Sequence, residues 1–235
     1  MCVLTAVSLV LAPSTAKAQA LTVLPVNIFL SPGQNATSLA VTNSGQSETA
    51  VQIRAYAWNE NDGSDQLVDT DEVLLSPPLA KIPMGGTQVV RIILRHPAKR
   101  QEMTYRILID QIPPPGEPGV VHLVLRLSIP IFAMPPSRCN ADVNFHIDRD
   151  AGQFYLVATN GGTLHEAIRD MELTMNDDRK LKLDALTLSY ILPGATRRWR
   201  IIVPDSEPLQ FDSLRLKAHM NAGTIDRQVS FVAVR

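Results

Sequence analysis

The side chains in this sequence best able to do chemistry are five histidines, two cysteines and one short acidic run. His96, His122, His146, His165 and His219 are scattered, and none has a partner at the spacings that build a metal site. Asp69-Thr70-Asp71-Glu72 is a small acidic cluster in a loop-like stretch. It does not meet the calcium-loop pattern, and a solvated loop is the simpler reading. A C-x-x-C, a Walker loop and a G-x-S-x-G elbow are all absent. The expectation is a protein with no catalytic residues, no metal, no cofactor and no small-molecule substrate. Binding is the chemistry that remains.

Cysteine usage and the N-terminus point to export. Val3 to Ala12 is a short apolar stretch, followed by small residues at Ala16-Lys17-Ala18 and Ala18-Gln19-Ala20. That pattern suits a signal peptide over residues 1–20, although the usual positive segment before it is missing. Cys2 would leave with the signal, so Cys139 would be alone in the exported chain and no intrachain disulfide could form. Core packing must then hold the protein together, with Cys139 a semi-buried residue at the start of a second domain. With 22 basic and 23 acidic residues, the chain lacks the basic excess of a nucleic-acid binder. After the N-terminus no apolar run approaches the ~20 residues of a membrane span.

The elements available to position a binding surface are strands. Val51, Ile53, Ala55 and Ala57 alternate with Gln52, Arg54, Tyr56 and Trp58. Met103, Tyr105, Ile107 and Ile109 alternate with Thr104, Arg106, Leu108 and Asp110. The cleanest row is Val121, Leu123, Leu125, Leu127 and Ile129, set against His122, Val124, Arg126 and Ser128. Each is a period-two pattern with one apolar face. Turn signals separate them, at Ser31-Pro32-Gly33, Asn43-Ser44-Gly45, Pro113-Pro114-Pro115-Gly116 and Asn160-Gly161-Gly162 among others. No stretch sustains a helical period, and 17 prolines among short strands suit sandwiches better than a parallel sheet.

At 235 residues the chain fits two sandwiches of about 100 residues each. Two echoes support a tandem arrangement. Leu39 to Gly45 resembles Leu156 to Gly162, and Thr87 to Ile92 resembles Thr196 to Ile201. The boundary expected is Pro135-Pro136-Ser137, dividing residues 21–136 from 137–235, with a stiff connector that leaves a cleft. The row from Val121 to Ile129 is core if paired on both edges, and an aggregation hazard at an edge unless a partner uses it. Periodicity alone does not choose between these.

A family resemblance does choose. Tyr105-Arg106-Ile107 with Asp110-Gln111-Ile112-Pro113, followed by Leu125 through Phe132, resembles the periplasmic pilus-assembly chaperones of the chaperone–usher pathway. Tyr56-Ala57-Trp58, Ser76-Pro77-Pro78 ahead of Ile82, Gly86-Thr87-Gln88 running into Val90-Arg91, and Leu192-Pro193-Gly194 with Trp199 extend it over nearly the whole exported chain. The resemblance implies an all-β fold of two immunoglobulin-like sandwiches in a boomerang arrangement, located in the periplasm. It implies pilus or fimbrial subunits and an outer-membrane usher as partners. It also implies a lent edge strand, here Val121, Leu123, Leu125, Leu127 and Ile129, that completes the subunit's sheet.

The best-known branch of the family anchors the subunit's terminal carboxylate with an arginine in the first strand and a lysine late in the lent strand. Here those places read Val26-Asn27-Ile28-Phe29 and Pro130. The run Ser128-Ile129-Pro130-Ile131-Phe132 resembles instead a divergent branch that builds thinner, spore-coat-like fibres. The anchor must then come from other residues, and Arg91 and Arg106 are the candidates on first-domain strands facing away from an apolar set. The echo of Arg91 at Arg200 equally fits a solvated strand residue. The competing reading is a structural or adhesive immunoglobulin-like surface protein, which would blunt or bury the edge that a chaperone lends.

Overall fold

The computed structural model describes residues 21–61, 63–113, 123–184, 189–202 and 213–231, and no helix occurs among them. With strands numbered in chain order, one sheet of the first sandwich runs β1 (Leu21–Leu24), β3 (Ala36–Asn43), β8 (Thr87–Leu94), β6 (Val73–Ser76). Its facing sheet runs β2 (Ile28–Leu30), β10 (Arg126–Ala133), β9 (Met103–Ile112), β4 (Thr49–Asn61), β5 (Ser64–Asp69), with β7 (Leu79–Ile82) also on β4. The alternation seen in the sequence sets the layers. Leu39, Val41, Val90, Ile92 and Leu94 meet Val51, Ile53, Ile107, Ile109 and Ile131, all buried between the sheets. Each contributes about 1.5–3 kcal/mol by leaving water.

The second sandwich follows β10. Strands β11 (Val143–Asp150), β12 (Gln153–Asn160) and β16 (Thr196–Ile202) face β13 (Glu166–Thr174), β17 (Ser213–Met220) and β18 (Gly223–Ser230), with β15 (Ser189–Ile191) on β13. Strand β14 (Lys180–Leu183) pairs with both β13 and β16 and joins the two layers. Cys139 is a free, partly buried thiol in the segment between β10 and β11.

The sequence echoes are structural repeats. Asn43 and Asn160 are 1% and 0% exposed at the ends of β3 and β12. Asn43 Nδ2 donates to the Ser47 and Ile82 carbonyls at 2.7 and 3.0 Å, and its Oδ1 accepts from Gly45 N at 2.9 Å. Asn160 Nδ2 donates to Leu164 and Ile191 at 2.7 and 2.9 Å, and its Oδ1 accepts from Gly162 N at 3.0 Å. A buried amide has to fill its bonding capacity inside the protein, and both do so by tying a strand end to the turn beyond it. Beside each, a threonine pair closes across the sheet, Thr42 with Thr87 and Thr159 with Thr196.

One alternation is broken for a physical reason. Trp58 and Phe132 lie on the outer face of the first sandwich, yet both are 0% exposed. They belong to the hydrophobic cluster of the second sandwich, with Tyr190, Ile191 and Leu192. The second domain covers this end of the sheet, so the period-two pattern is read there by two cores.

Candidate functional site

Strand β10 is paired unevenly. Antiparallel pairing with β9 runs along its whole length, from Arg126 opposite Asp110 to Ala133 opposite Met103. On its other side, parallel pairing with β2 reaches only Ile131 to Ala133. From Arg126 to Pro130 that edge has no partner strand among the described residues. Gln111 N donates to the Leu125 carbonyl at 2.9 Å, so odd-numbered residues turn their backbone groups to β9. Alternation then points the backbone groups of Arg126 and Ser128 to the bare edge. Pro130 offers only a carbonyl there, in the edge position where proline is tolerated.

The apolar row grades from solvent into core. Leu123 is 84% exposed and Leu125 38%, whereas Ile129 is 6% exposed inside the first core. Leu127, half-buried, packs against the same core. Val121 lies outside the described residues. The choice between edge and core is divided along this segment: Leu127 and Ile129 line the protein's own core, and Leu123 and Leu125 stand exposed just before β10 begins.

Arg106 stands on β9 directly opposite Pro130. Its guanidinium lies 3.7 Å from the centroid of Trp58 and 5.8 Å from that of Tyr190, in the angle between the domains. Nη1 is 3.4 Å from Ser128 Oγ on the edge strand, and Nη2 is 3.7 Å from Asp65 Oδ2. The side chain is 15% exposed. Burial pulls its pKa down and Asp65 opposes that shift. Asp65 is held much more closely by Arg197, so the charge of Arg106 is only loosely matched.

Arg91 is placed elsewhere. It sits on β8, in the opposite sheet, exposed between Ser38 and Ser76. The first core separates it from β10. The structure brings Arg106 to the edge strand and leaves Arg91 away from it.

Several residues support the site in roles that the sequence did not signal. Asp110 accepts from Arg54 Nη2 at 2.7 Å and from Arg126 Nε, tying the start of β10 to β9 and β4. Partial burial pushes the Asp110 carboxyl up, but the two arginines outweigh it and hold its pKa below the ordinary value. Between the domains, Glu60 accepts from Leu192 N at 2.9 Å and Arg197 Nε at 2.8 Å. Burial raises the pKa of Glu60 despite these bonds. Glu102 Oε2 accepts from His165 N at 2.8 Å and Nδ1 at 2.7 Å, while the His165 ring stacks on Phe132 with centroids 3.7 Å apart. A cleft of about 280 Å³ opens beside these contacts, lined by Glu60, Glu102, Thr104 and Pro193. The acidic run noted in the sequence is a surface feature, with Glu72 Oε2 2.8 Å from His96 Nδ1.

A family model for the pili and flagellar-assembly chaperone, PapD N-terminal domain, matches residues 20–138. The chain belongs to the pilus-assembly chaperones. Such chaperones are binding proteins and not enzymes. No curated protein matches this pilus-assembly chaperone in sequence. Its fold is that of solved chaperones. The CsuC–CsuE chaperone–tip adhesion subunit pre-assembly complex, from archaic chaperone-usher Csu pili of Acinetobacter baumannii, aligns at 18% identity and a TM-score of 0.71, covering 91% of this chain and 100% of that one. The Salmonella enterica SafA pilin in complex with the SafB chaperone aligns at 15% identity and 0.60, covering 93% and 99%. The CupB2 chaperone of Pseudomonas aeruginosa aligns at 13% and 0.57, covering 90% and 100%. The architecture is all-β, with two immunoglobulin-like sandwiches.

Proposed function

We propose that this pilus-assembly chaperone captures a pilus subunit by lending it the edge of β10, and delivers it to an outer-membrane usher. The observation that carries the reading is the bare backbone edge at Arg126 and Ser128 beside the exposed Leu123 and Leu125. An open sheet edge with an apolar row is an aggregation hazard in a free protein and an asset in one that completes another protein's sheet. The row from Val121 to Ile129 enters the subunit at its N-terminal end and the chaperone's own core at its C-terminal end. Two of the similar structures are of a chaperone in complex with a tip subunit or a pilin, which supports the same kind of partner here.

Arg106 is assigned to the subunit's terminal carboxylate. It is half-buried on an aromatic platform, loosely paired and adjacent to the edge strand, and its planar fork suits a carboxylate. Arg91 takes no part, because it faces solvent across the first core. Residues 1–20 are assigned as the export signal to the periplasm, 21–136 as the subunit-binding domain and 137–235 as the second sandwich.

Leu123→Asp is the test. Leu123 is 84% exposed, so the substitution leaves the chaperone folded by circular dichroism. Capture of a co-expressed pilus subunit, recovered from periplasm, is abolished, because an unpaired carboxylate in an apolar core costs several kcal/mol. A folded variant that captures subunit normally contradicts the reading.

A further inference from the structure

We propose that Gln111 is a positioning residue whose side chain clamps Leu125 and fixes the point at which the lent strand leaves the first sandwich. The inference rests on the reading of β10 as the capturing strand. Ladder pairing between β9 and β10 runs from Ala133 back to Arg126. One residue further, the pairing changes character. Gln111 N still donates to the Leu125 carbonyl at 2.9 Å, but Leu125 N turns to the Gln111 side chain, with Oε1 at 3.3 Å.

The other end of that side chain is fixed as well. Gln111 Nε2 donates to Thr49 Oγ1 on β4 at 2.9 Å, and the two residues are 5% and 4% exposed. A buried amide with both ends bonded cannot swing to follow a slipping strand. Just beyond the clamp, exposure rises from 38% at Leu125 to 51% at Val124 and 84% at Leu123. The adjacent Asp110 pins Arg126 and is itself held by Arg54. Residues 125 and 126 are thus fastened by side chains, on opposite faces of the sheet, where the apolar row passes from this protein's core to the subunit's. A slip of one residue would turn that row to the wrong face, so a fixed exit sets the register of what is lent.

The test pairs Gln111→Met, which keeps the shape and removes both bonds, with Gln111→Glu. The glutamate keeps an acceptor for Leu125 N, and the Thr49 hydroxyl can donate to it. Amide exchange of Leu125 in the free protein is expected to speed up about fivefold in the methionine variant and to return to the wild-type rate with glutamate. Exchange at Ile107 reports whether the core is intact. Capture of a co-expressed pilus subunit falls with methionine and recovers with glutamate. Unchanged Leu125 exchange in a folded Gln111→Met protein overturns the clamp. Faster exchange with normal capture overturns its positioning role. Should the methionine variant fail to fold, Gln111→Asn, a methylene too short to reach both partners, is read by the same two outcomes. If wild-type protein captures no subunit, the functional reading fails, and Leu125 exchange still judges the clamp.

Discussion

Arg106 sits over Trp58, its guanidinium carbon 3.7 Å from the ring centroid, where the two sandwiches meet. A cation held over an indole is fixed in place without its charge being consumed by a carboxylate. The aromatic is itself locked, because Trp58 is packed edge-on to Tyr190 with ring centroids 5.4 Å apart and is fully buried. Orientation comes from the platform, and the nearest carboxylate, Asp65, stands off at 3.7 Å.

Removing that charge is expected to weaken subunit capture. Arg106→Ala should reduce affinity by about ten- to a hundredfold, the value of a charge-assisted hydrogen bond. Arg106→Lys should recover only part, since an ammonium cannot form the bidentate pair. Arg91→Ala should change nothing. Titrating a peptide from the subunit's C-terminus, free and amidated, checks the chemistry: amidation should mimic the defect in wild type and add little in Arg106→Ala. Equal binding of both peptides by wild type removes Arg106 from the anchor role.

Acid should loosen the start of the lent strand. The folded pKa of Asp110 is depressed, so its contribution to stability is complete above the ordinary value of 3.8 and is lost as pH falls through the folded value below it. Denaturant melts between about pH 5 and pH 2 should therefore show a steeper loss in wild type than in Asp110→Asn. Identical slopes would mean that the links to Arg54 and Arg126 are not formed in solution.

Glu60 gives the opposite case. Its side chain is 0% exposed and faces Arg197 from the other domain at 2.7 Å. Arg197→Ala strands that carboxyl, and the expected cost is about 3–5 kcal/mol. Adding Glu60→Gln should restore part of the loss, because an amide can still accept from Leu192 N. A single-variant loss below ~1 kcal/mol, the size of an ordinary surface change, would show that the domains do not depend on this pair.

The strands and both cores were legible because the period of two is written in residues such as Ile107, Ile109, Val90 and Ile92, whose burial follows it. The Asn43 and Asn160 echo was legible for a related reason: a buried amide at a strand end constrains the residues around it in both repeats. Trp58 and Phe132 escaped the pattern, since the second domain that covers them is distant in sequence. The same holds for Glu60 with Arg197, and Glu102 with His165, whose partners meet only when the domains dock. Arg91 and Arg106 look alike along the chain, both on strands and facing away from a core. Only the sheet order separates them, by putting β9 next to β10 and β8 in the opposite sheet. The divided character of the row from Leu123 to Ile129 was likewise invisible, because periodicity marks a face and says nothing of where a neighbouring strand ends.

The measurement that tests the central claim most directly is amide exchange at Arg126 and Ser128, free and in complex with the co-expressed subunit. In the free protein both amides face a bare edge and should exchange faster than those of Leu127 and Ile129, which point to β9. In the complex they should gain at least about tenfold protection, as each finds a carbonyl on the subunit's strand. Exchange at Arg126 and Ser128 that stays unchanged on binding, with protection arising instead along β5 at the far edge of the same sheet, would contradict strand lending by β10.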